Sequence, residues 1–131
     1  MISRHRLRGR RRFAAVRERG LRASAGEVRA QAAGNGLDVA RIGFALVGMR
    51  SAVRRNRLRR QLREAVRPLL AELAGHDVVL VAGAPAEHLS ATALRAAVAT
   101  CTGRALERVH SASAAVSTDN APMTAPGAET R

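Results

Sequence analysis

The sequence predicts an α/β fold built around a strand–helix–strand crossover unit, and three observations carry that reading. Two short apolar runs, Ala40 to Val47 and Asp77 to Ala82, are rich in β-branched residues and bounded by glycines, as buried strands are. Between them, Leu58, Leu62, Ala65, Val66, Leu69 and Leu73 recur at spacings that keep them on one side of a helix. The chain has 131 residues, which fits one compact domain with a tail.

The elements follow in order. Residues 10–19 read as a short helix, with Phe13 and Val16 on a shared face and Gly20 available as a left-handed cap. Val28, Ala30 and Ala32 alternate with Arg29 and Gln31 as in a half-exposed strand, and Gly34-Asn35-Gly36 marks a turn, so a hairpin is expected there. The next run contains Phe44, read as a core residue with a groove-lining role as the alternative, and is closed by Gly48. The central helix is expected from about Ala52 to Leu73, stopped by Gly75. Pro68 is expected to kink or break it near Glu64 to Arg67, because proline lacks a backbone donor and crowds the preceding turn. Val78 to Val81 form the heart of a central strand. A last helix starts with Ser90 as its cap and places Leu94, Val98, Cys101 and Ala105 on one face, which makes Cys101 a packed apolar residue and not a nucleophile. From residue 110 to 131 the composition turns to Ser, Ala, Thr, Pro and Gly, and this tail is expected to be disordered.

Charge narrows the function. The formal net charge is +13, and all 23 basic residues counted are arginine. Residues 1–22 hold nine Arg against one acid and residues 50–67 hold eight against one, whereas the remainder is slightly acidic. Two concentrated basic blocks imply a polyanionic partner. With Phe13 and Phe44 the sole aromatics besides histidine, charge carries more of the binding than stacking does. One cysteine excludes an internal disulfide, and His5, His76, His88 and His110 are scattered without zinc-ligand spacing. No apolar stretch approaches the roughly 20 residues that span a bilayer, so a cytoplasmic protein with no membrane partner is expected. An Arg-rich transit peptide is the alternative reading of the N-terminus.

On the central helix, Asn56, Arg60, Arg63 and Arg67 form a second stripe roughly opposite the leucines, one side packing and the other free for a ligand. The segment Arg55-Asn56-Arg57-Leu58-Arg59-Arg60-Gln61-Leu62-Arg63-Glu64-Ala65 resembles the signature of the bacterial ribonuclease P protein family in residue type and spacing over eleven positions. Leu7 to Gly20, Arg41 to Phe44 and Asp77 to Pro85 are similar to the family's first helix and flanking strands, so that the resemblance covers about residues 4–108.

The resemblance implies a two-layer α-β sandwich with a central sheet and a left-handed βαβ crossover, in a domain of residues 1–109. It implies RNA contacts at Arg55, Asn56, Arg57, Arg59, Arg60 and Arg63, to which the stripe adds Arg67 and the basic first helix adds Arg10, Arg11 and Arg12. The 5′ leader of precursor tRNA would lie in a cleft between the central helix and the sheet, lined by Phe13. The family's second aromatic of that helix is replaced by Arg17, and an aromatic strand position falls near Gln31. The loop Val47 to Val53 is one residue shorter than the family pattern. The implied function is leader removal by hydrolysis, with the catalytic RNA supplying the active site and requiring Mg2+. The protein would be a monomer in a 1:1 complex with that RNA, with no catalytic residue and no cofactor of its own. A ribosome- or nucleoid-associated coating protein is the rival reading, and it would need no such motif.

Overall fold

The computed structural model describes the backbone of residues 3–120 and the side chains of residues 4–113. Helix α1, Arg10–Arg19, leads into a hairpin of β1, Leu21–Ala25, and β2, Val28–Gly34. Strand β3, Arg41–Val47, is followed by helix α2, Ala52–Val66, and β4, His76–Gly83, and helix α3 spans Ala91–Asn120. The sheet order is β1-β2-β4-β3. Strands β3 and β4 are parallel neighbours joined through α2, which is the expected crossover unit, and the other pairings are antiparallel.

Several local expectations are corrected by longer-range contacts. The hairpin turn lies at Gly26, where φ is 56°, and not at Gly34-Asn35-Gly36. That later turn opens a loop instead. The Asn35 side chain donates to Asp77 Oδ1 at 2.9 Å and to the Val39 carbonyl at 3.1 Å, and its backbone N–H donates to Gly75. These bonds fold residues 35–40 across the start of β4, so the chain skips a place in the sheet and β4 later fills it. Gly20 adopts extended backbone at φ −76° instead of a left-handed cap. Glycine is needed there for a different reason: a Cβ would sit 2.2 Å from the Val16 carbonyl oxygen, to which the Gly20 N–H donates at 2.7 Å.

Helix α2 opens at Ser51, whose Oγ accepts from Arg54 N, and its regular part ends at Val66, with a single 3-10 turn over Arg67–Leu69. Pro68 thus breaks the α-helix at Val66, inside the stretch where a kink or break was expected, and short of the Leu73 limit that periodicity gave. Ser90 caps α3 as expected, its Oγ accepting from Ala93 N at 3.0 Å. The helix then continues through residues 110–120, a stretch whose composition pointed to disorder. No glycine or proline intervenes from Ala105 to Asn120, and alanine supplies the helix propensity that the lack of large apolar residues had masked. The rest of the expected tail, 121–131, lies outside the described residues.

One face of the sheet is covered by α2 and α3. Ala30, Ala32, Ile42, Val78 and Leu80 pack there against Leu58, Leu62 and Val66 of α2 and Leu94, Val98 and Cys101 of α3. The small side chains of β2 let α3 lie close across β1 and β2. Burial pushes the Cys101 thiol up to about 11, so it stays protonated and inert at neutral pH. The opposite face is partly covered by α1, with Val16 and Leu7 against Val79.

Candidate nucleic-acid interface

Helix α2 presents its leucines inward and its polar residues outward, since Leu58 and Leu62 are fully buried while Asn56, Arg57, Arg60 and Arg67 are exposed. Its arginines nevertheless differ in what they are free to do. Arg55 donates from Nη1 to the carbonyls of Met49 and Arg50, at 2.9 and 3.0 Å, and so holds the loop before the helix. Arg59 donates to Asn56 Oδ1 at 2.9 Å, and Arg67 pairs with Glu64 at 2.9 Å. Arg54, which the motif does not include, forms a paired hydrogen bond with Glu87 and holds that carboxyl below the ordinary carboxylate range. Arg57 and Arg60 make no such bond among the described residues.

Arg63 is the distinctive one. Its Nε is buried without a hydrogen-bond partner among the described residues, and its guanidinium carbon lies 5.9 Å from the centre of the Phe44 ring, within cation–π range. Both residues line a groove of about 290 Å³ along the β3 edge of the sheet. The opposite wall is the N-terminal segment, which is anchored to that edge by the Leu7 N–H donating to the Ile42 carbonyl at 2.9 Å. Arg6, Arg8, Arg59 and Phe13 also line the groove.

Phe13 reaches this position because residue 43 is glycine. A Cβ on Gly43 would come within 2.4 Å of the Phe13 ring, so the ring lies directly on the bare backbone of β3. Phe44, expected in the core, is half-buried and lines the groove, because the alternation of β3 turns it toward α2 at the edge of the sheet, where the core thins out. Gln31 is buried at 7% exposure on the face that α1 covers, level with Val79, and does not line the groove. Arg17 is exposed on α1 and also stands outside the groove lining. Arg10, Arg11 and Arg12 are exposed on the first turn of α1, immediately before Phe13. The sequence motif thus named Arg59 and Arg63, which the structure brings to this groove, but the joining of both phenylalanines with them depends on the Gly43 contact and the docking of residues 6–8, neither of which has a periodic signal.

Comparison with known proteins gives a consistent result. The family model for ribonuclease P matches residues 1–106. Among solved structures, the RNase P protein of Thermotoga maritima in complex with 1-(4-fluorophenyl)-2-thiourea is 26% identical, with 72% of this chain and 94% of that chain covered and a TM-score of 0.66. The RNase P protein of Staphylococcus aureus, at 19% identity, shares the fold over 83% of this chain and 94% of that chain with a TM-score of 0.63. The comparison with curated proteins finds no match. A match over residues 1–106, joined to this sheet order and the arginine-bearing α2, shows that the chain belongs to the ribonuclease P protein family, whose members are the RNA-binding protein subunits of a tRNA-processing ribonuclease.

Proposed function

We propose that the β3-edge groove receives the single-stranded 5′ leader of precursor tRNA, while the catalytic RNA subunit, with Mg2+, performs the phosphodiester hydrolysis. The observation that carries this reading is the placing of Phe13 and Phe44 in one groove with an arginine, Arg63, that has a buried and unpartnered Nε. An extended strand needs that combination: aromatic faces for unstacked bases and guanidinium groups for phosphates between them. The exposed arginines of α1 and α2 would displace counterions from both RNAs and set the orientation of the complex. In this reading the protein works in the cytoplasm, as one copy per catalytic RNA. Its contribution is binding energy spent on positioning the substrate, and no side chain takes part in bond breaking.

Reconstitution tests the proposal. Mixed with a bacterial ribonuclease P RNA, the protein should restore cleavage of precursor tRNA at Mg2+ concentrations where the RNA alone is slow. An assembled complex with no gain in rate would contradict it.

A further inference from the structure

We propose that the cleft between α2 and α3 is a second RNA site, which takes one unpaired nucleotide of the catalytic RNA with its base in the cleft and its phosphate between Arg60 and Arg95. The inference rests on the reading above, in which that RNA is the protein's partner. The cleft has a volume of about 360 Å³, an apolar floor that includes Leu89 and Leu94, and Arg60 and Arg95 among its walls. Neither arginine makes a hydrogen bond or ion pair among the described residues, whereas Arg54, Arg67, Arg104 and Arg108 all have protein partners. Two unpartnered guanidinium groups over an apolar floor match a nucleotide, whose base is flat and weakly hydrated and whose phosphate takes paired hydrogen bonds from arginine.

The edge of the base also has a partner. Glu64 lines the cleft and gives Oε2 to Arg67, which leaves its other carboxylate oxygen able to accept from an exocyclic amino group. The site therefore favours a base that turns an N–H donor edge toward Glu64. Its source follows from position. Arg59 and Arg63 line the β3-edge groove and Arg60 lines this cleft, so α2 stands between the two, and a leader held in the first does not occupy the second. The occupant is a segment of the catalytic RNA.

Two substitutions of the full-length protein test this. Ala91 is exposed at the mouth of the cleft on the first turn of α3, and Ala91→Phe fills the space, while Arg95→Ala removes an exposed side chain with no contribution to the core. Each should weaken binding to a bacterial ribonuclease P RNA by about five- to twentyfold, the range expected for losing one stacked and anchored nucleotide. The double variant should lose little more than the weaker-binding single variant, because both remove the same contact. Chemical probing should show one unpaired base that is protected by the wild type and exposed with either variant. Preference for leader-bearing over leaderless tRNA should be unchanged. Wild-type affinity and protection in both variants, or an effect confined to leader preference, overturns the proposal. If the wild type itself neither binds the RNA nor speeds cleavage, it is the proposed function that fails, whatever the variants do.

Discussion

The two basic stretches of the chain carry nearly equal charge and use it differently. In residues 50–67, Arg54, Arg55, Arg59 and Arg67 are committed to protein partners: a carboxylate, two loop carbonyls, an amide and a second carboxylate. In residues 1–22, Arg10, Arg11, Arg12, Arg17 and Arg19 are exposed and make no such bonds among the described residues. The first stretch is therefore partly scaffold, in which arginine shapes the loop and the N-terminal end of the helix that carry the motif. Those five arginines of the second stretch are available surface. Charge counted from sequence measures how strongly a region attracts RNA from a distance, while the count of unpartnered guanidinium groups governs how many phosphates it can hold at contact.

Within α2 the contrast between scaffold and surface is sharpest, and there the largest effect is expected. Leu62→Ala should cost about 2–5 kcal/mol of stability in denaturant unfolding, because Leu62 is fully buried and its loss leaves a cavity between helix and sheet. Arg60→Ala, two residues away and exposed, should stay within about 0.5 kcal/mol of wild type. Equal losses in both would mean that the outer face of α2 is also structural.

The division among arginines gives a smaller effect, read from salt titration. If six to eight arginines engage partly single-stranded RNA, the log-log slope of affinity against salt should be about −4 to −7. Replacing Arg10, Arg11 and Arg12 together by alanine should make it shallower by about two units, with little change in melting temperature. Arg55→Ala should do the reverse, leaving the slope nearly unchanged and lowering stability by about 1–2 kcal/mol, since two carbonyls lose a charged donor. A large slope change for Arg55→Ala would show that its loop contacts are exchanged for phosphate when RNA binds.

The smallest effect lies away from both stretches. Folding raises the Cys101 thiol from its ordinary value of 9.0 to about 11, so the folded state holds the proton more tightly than the unfolded chain does. Its contribution is fully present below pH 9 and is lost as pH rises toward 11. Cys101→Ala should flatten that part of the stability–pH curve, and native protein at neutral pH should resist thiol alkylation. Rapid labelling without unfolding would contradict the packing of α3 on the sheet.

Much of the fold was legible because its elements announce themselves locally. The leucine spacing of α2, the apolar run of β4 and the Ser90 cap each state a local preference that the packing then satisfies. What sequence left hidden depends on distant partners. Gly34-Asn35-Gly36 has the composition of a hairpin turn, and only the bonds from Asn35 to Asp77 and Gly75 reveal that it starts a loop. Asp77 is further tied by the paired bonds of Arg41 at 2.7 and 2.8 Å, a contact across 36 residues that no local pattern encodes. The same limit applies to the interface. The motif named its arginines, but it did not show that Arg55 supports a loop, that Phe44 packs at the margin of the core and lines the groove, or that Gly43 is where Phe13 comes to rest.

Whether the leader lies in this groove is decided by one ratio. In the reconstituted complex, the affinity for precursor tRNA with a leader is divided by the affinity for the same tRNA without one, for wild type and for Phe13→Ala. Thermal melts serve to show that the variant is folded. The wild-type ratio should exceed one, and Phe13→Ala should lower it by about five- to tenfold, while affinity for leaderless tRNA barely changes. A folded Phe13→Ala protein that keeps the full wild-type ratio would contradict the assignment of the leader to the groove between β3 and α2.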